Sequence, residues 1–133
     1  MLRKTKVATM ALLASVMLLA SPLMLVQGQT STSSAQKMVW IAERANQQVQ
    51  NLIDLINANE DAATKIADTG LTSDFNAAID LYQTDGWENL EAAQEALAED
   101  DYETASDCAV EALRVFREVY SSIHVIMDAA NLE

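Results

Sequence analysis

Residues 97 to 130 hold the feature that most limits how this chain can fold. Tyr102, Ala105, Ala109, Ala112, Phe116, Val119, Ile123 and Ile126 recur at alternating steps of three and four, which sets them along one side of an α-helix. A long helix with one apolar seam cannot bury that seam alone, so the rest of the chain has to supply partners.

Two further stretches supply them. Met38, Ala42, Ala45, Val49, Leu52 and Ile56 form a heptad-like seam, widened by Ile41, Ile53 and Leu55, opposite a polar face of Lys37, Glu43, Arg44, Gln47, Gln48, Gln50 and Asp54. Ser33 or Ser34 is the expected N-cap. Helix propensity falls at Asn57-Ala58-Asn59-Glu60-Asp61, where a kink or short break is expected, and the spacing resumes at Ala63 and Ile66. Gly70 is a natural C-terminal stop. Phe75, Ile79, Tyr82, Leu90, Ala93 and Leu97 form the next seam, introduced by cap candidates in Leu71-Thr72-Ser73-Asp74. Gly86 falls four residues from both Tyr82 and Leu90, where the lack of a side chain permits close helix contact; a continuous helix with a weak point is expected there. Asp100 or Asp101 caps the last helix. The expected fold class is all-α, an up-down three-helix bundle of long antiparallel helices at about 35–68, 73–98 and 101–130, preceded by a hydrophobic N-terminal segment.

That segment has the order of a secretory signal peptide: basic Arg3, Lys4 and Lys6, an apolar run from Val7 to Val26, then small residues ending at Gly28. Residues 1–28 are expected to be removed, with an uncleaved N-terminal anchor as the alternative, since the run of 20 residues is long enough to span a bilayer. Residues 29–34 are a Ser/Thr-rich lead expected to be disordered, and 35–133 form the domain. The expected location is secreted or periplasmic.

After Gly28 the chain keeps 105 residues, five of them basic and twenty acidic, for a net charge of −15. Such a surface repels phosphate backbones and anionic headgroups, which argues against nucleic-acid binding and against membrane binding by the mature domain. The acids are scattered over helix exteriors, in keeping with solubility. Cys108, the sole cysteine, cannot form an internal disulfide. Its alanine neighbours point to a small side chain at or beside the seam, and an intermolecular thiol is the alternative.

Leu97, Asp101-Tyr102, Ala105, Ala109 and Ala112-Leu113 resemble the turn and second helix of a tetratricopeptide unit over about residues 89–113, with Asp100 where that turn's glycine is expected. The resemblance implies two antiparallel helices with tight Ala-rich packing; there is one copy, so it does not imply the groove of stacked repeats. The same hairpin is broadly similar to the last two helices of small periplasmic four-helix-bundle b-type cytochromes. That similarity implies haem ligation by a methionine near the start of the first helix and a histidine near the end of the last, here Met38 and His124. In an up-down-up arrangement these two lie at opposite ends; a four-helix arrangement brings them together.

Other chemistry finds little footing. One histidine and one cysteine cannot make a zinc site, no Glu-x-x-His pair occurs, Glu99-Asp100-Asp101 lacks the alternation and glycine of a calcium loop, and three glycines build no phosphate loop. No catalytic residue, cofactor or metal is expected. Trp40 and Trp87 fall off the seams and either anchor an interface or cover the edge of the core. The functional expectation is an exported non-enzymatic module acting through contacts with an unknown protein partner or with itself; the alternative is a carrier of haem or another apolar ligand.

Overall fold

A computed structural model describes residues 31–132, and these are helical throughout except for short turns. The signal segment, and Gln29 and Thr30 of the expected lead, lie outside the described residues. Helix α1 spans Thr32–Asn57, α2 Ala62–Asp68, α3 Thr72–Leu81, α4 Trp87–Ala98 and α5 Tyr102–Ala130. No strand occurs among the described residues.

The start of α1 departs from expectation. Ser31, rather than Ser33 or Ser34, is the N-cap, and its hydroxyl accepts from the Ser34 amide at 3.2 Å. Residues 32–34 are thus the first helical turn and not a disordered lead. All six residues of the α1 seam are buried, as are Ile41 and Ile53, but Leu55 is 52% exposed and does not widen it.

The expected single helix over 35–68 is two helices. Asn59 Oδ1 accepts from the Asp61 amide at 3.0 Å, an Asx turn that competes with the helical ladder and breaks it between Asn57 and Ala62. Helix α2 then ends at a left-handed Gly70 (φ 76°), with the Leu71 amide bonded to the Ile66 carbonyl and the Gly70 amide to that of Ala67. This is the Schellman arrangement expected of a glycine stop. Two other helices close the same way without glycine: Asp100 (φ 61°) follows α4, and Asn131 (φ 57°) follows α5.

Helices α3 and α4 run on through a π turn at Tyr82–Gly86, so the weak point at Gly86 is a local widening of a continuous helix. Helix α5 begins after the Asp101 N-cap, whose carboxylate accepts from the Thr104 amide at 3.3 Å. Its expected seam is buried except for half-buried Tyr102, and Ser106, Leu113, Val115, Tyr120, Met127 and Ala130 are buried besides. The reason is topological: α1 and α4 both pack chiefly on α5 and only sparingly on each other, so α5 needs an apolar face wide enough for two neighbours.

Directions follow from cross-helix contacts. The turn between Ala98 and Tyr102 folds α5 back along the α3–α4 column: Phe116, 14 residues into α5, meets Gly86 and Tyr82, 12 and 16 residues before the end of α4, so α5 is antiparallel to that column. Glu43 pairs with Gln94, and Asn46 and Gln50 with Tyr82, so α1 is antiparallel to that column and parallel to α5.

Candidate functional site

The most elaborate side-chain cluster lies at the π turn. In an α-helix, residues five apart point about 140° away from each other. The π turn holds one extra residue and cancels much of that offset, so Tyr82 and Trp87 meet edge to face with ring centroids 5.5 Å apart. On its other side Tyr82 meets Phe116 at 5.7 Å, again edge-on. The Tyr82 hydroxyl donates to Asn46 Oδ1 at 2.6 Å, with Gln50 Oε1 at 3.1 Å. Gln50 in turn donates from Nε2 to Asp54 at 2.9 Å. Burial pushes the Tyr82 phenol above the usual tyrosine range; a hydrogen bond from Trp87 pulls it partly back, and the Asp54 carboxylate raises it further.

Trp87 is therefore fixed from beneath while 43% of it faces solvent. Trp40 is 55% exposed and stacks under the Arg44 guanidinium, 5.2 Å from the ring centroid. The two indoles do not form one patch. Glu43 is level with Gln94, which places Trp40 and Trp87 about 15 Å apart along the helix axes. Neither is a core residue, and Trp87 also covers the edge of the core at Tyr82.

Cys108 is half-buried beside the α5 seam. Burial first, then the carboxylates of Asp107 and Asp101, push its thiol up, which disfavours the thiolate. His124 is half-buried on α5, with Nδ1 3.3 Å from Asp128 and its ring 6.0 Å from that of Tyr120. Met38 is fully buried near the start of α1. Asn46 and Phe116 are both level with Tyr82; Met38 lies eight residues before Asn46 and His124 eight after Phe116. Since α1 and α5 are parallel, the two side chains are about 24 Å apart along the axis and share no site. Among the described residues no three His, Cys, Asp or Glu side chains come together to hold a metal, and no helix is long and apolar enough to cross a membrane.

Gln50 reads in sequence as one amide of the polar face of α1, and Asn46 carries no sequence signal that sets it apart. Only their position opposite Tyr82 gives them a partner. No protein-family model, curated protein or solved structure matches this chain.

Proposed function

We propose that the chain is an exported, non-enzymatic three-helix bundle that works through protein contacts, with a partner or with a second copy. The observation that carries this reading is the rigid presentation of Trp87: a large indole held against Tyr82 from below and left open above. Exposed aromatics with few remaining rotamers lose little entropy on binding, which is why such residues anchor interfaces. The apolar N-terminal segment supports export, and the acidic exterior suits a soluble protein outside the cytoplasm.

The test compares proteins co-purified from the native extracytoplasmic fraction by the wild-type chain and by Trp87→Ala, with sedimentation of each alone. A stoichiometric partner, or a dimer, that is lost or weakened in Trp87→Ala is the expected result. A wild-type chain that stays monomeric and retains nothing in a defined ratio overturns the reading.

A further inference from the structure

Helices α3 and α5 do not close fully against each other at the end remote from the turn that joins α4 to α5. A trough of about 500 Å³ lies between them. Its α3 wall carries Asp74, Ala77, Ala78 and Leu81, and its α5 wall Glu118, Ser121, Ser122 and Val125. Each wall repeats at steps of three and four, so each presents one ridge of a helix to the same channel. The side chains at its middle are alanines and serines, too short to fill the space, and Val125 stands 65% exposed at the edge. A channel flanked by two helical ridges, open along about 15 Å of α3, can receive a third helix laid along it.

Charge narrows what that helix is. From Ile66 to Leu113 the chain has thirteen carboxylates and no lysine, arginine or histidine. Asp74 has no cation within ion-pair distance among the described residues. Glu118 has only a long contact with Arg114, 3.4 Å between two exposed side chains, while that guanidinium is engaged mainly by Glu111. Such a surface pair yields readily to a competing cation. With Phe116 set between Tyr82 and Gly86, the antiparallel register puts Asp74 and Glu118 on opposite walls and about 12 Å apart along the trough, the rise of eight helical residues.

We infer that the trough between α3 and α5 docks an amphipathic partner helix with a small-to-medium apolar face, flanked by two basic residues seven or eight positions apart. This rests on the reading of the domain as a protein-contact module and assigns that module a second surface, distinct from Trp87. The partner's apolar face covers Val125 and fills the space over Ala77 and Ser122, and its two cations meet Asp74 and Glu118.

The probe is a labelled Ala/Leu helical peptide with two lysines eight residues apart, titrated by fluorescence anisotropy with the full protein; an otherwise identical peptide carries glutamates. The lysine peptide is expected to saturate at one per chain and the glutamate peptide to bind at least about tenfold more weakly. Ser122→Trp and Ala77→Trp, both at exposed positions and checked for unchanged circular dichroism, fill the trough and weaken the lysine peptide by about tenfold or more. Asp74→Asn weakens it roughly threefold and flattens its salt dependence. No saturable binding, equal binding of the two peptides, or binding that survives both tryptophan substitutions overturns the inference. Binding that falls in Trp87→Ala but not in Ser122→Trp also overturns it, while leaving the protein-contact reading intact.

Discussion

Gly86 and Phe116 approach so closely that a β-carbon on the glycine would lie 2.6 Å from Cε1 of the ring. Neither group can give way easily, since Phe116 is buried against Tyr82 and the glycine backbone belongs to the π turn. Gly86→Ala is therefore expected to destabilise the fold by about 1–3 kcal/mol, the usual cost of overpacking. Urea denaturation measures it. Adding Phe116→Leu, which shortens the opposing side chain, should cost less in the Gly86→Ala background than in wild type; strict additivity would show that the two do not compete for the same space.

Asp100 takes up the left-handed conformation that a glycine adopts cheaply. Its carboxylate accepts from the Tyr102 hydroxyl at 3.0 Å, an exposed bond of little net worth. Asp100→Gly is expected to hold stability level or raise it by about 0.5 kcal/mol, whereas Asp100→Val lowers it by about 1–2 kcal/mol. The order of the three urea midpoints is the check.

Tyr82→Phe removes the hydroxyl that Asn46 accepts from and is expected to cost about 1 kcal/mol. It also changes the response to alkali. Because the folded phenol titrates above the unfolded one, stability is at its full value below the ordinary tyrosine pKa of about 10 and falls as pH rises toward and through the folded value. Urea midpoints between pH 8 and 11 should fall more steeply for wild type than for Tyr82→Phe, the other tyrosines and the lysines being common to both.

Cys108 should react slowly with an aromatic disulfide reagent at pH 8, more slowly than the same thiol in denaturant, because burial and two carboxylates keep it protonated. Asp107→Asn is expected to speed the reaction roughly twofold, Asp107 being the nearer charge in sequence and not the helix cap. A native rate equal to the denatured rate would show that the thiol is neither shielded nor raised.

Much of the helical layout is legible in the residues. The seams of α1 and α5, the stop at Gly70 and the close contact at Gly86 all follow from rules that act within a few residues, and the same rules narrow the last cap to Asp100 or Asp101, of which Asp101 is the one used. The break before Ala62 is only half legible: Asn57 to Asp61 weakens a helix, but whether the Asn59 side chain or the ladder wins its amide partners depends on where α2 must pack. The Tyr82–Trp87 pair is harder still, because a five-residue step has no meaning in an α-helical reading, and only the π turn gives it one. The trough between α3 and α5 is a gap between helices far apart in sequence, and no local pattern records it.

The π turn also bears on which changes of chain length the protein can accept. From Tyr82 to Leu90 is eight residues, which in a regular α-helix leaves the two about 80° out of line; the wider turn absorbs the excess and keeps both in the core. The column thus behaves as a regular helix carrying a one-residue insertion. Removing one of the exposed residues Gln83, Thr84 or Asp85 would leave Tyr82 and the former Leu90 in register on an ordinary helix, so a single deletion there should be better tolerated than one in α5, where every later side chain would turn away from its place.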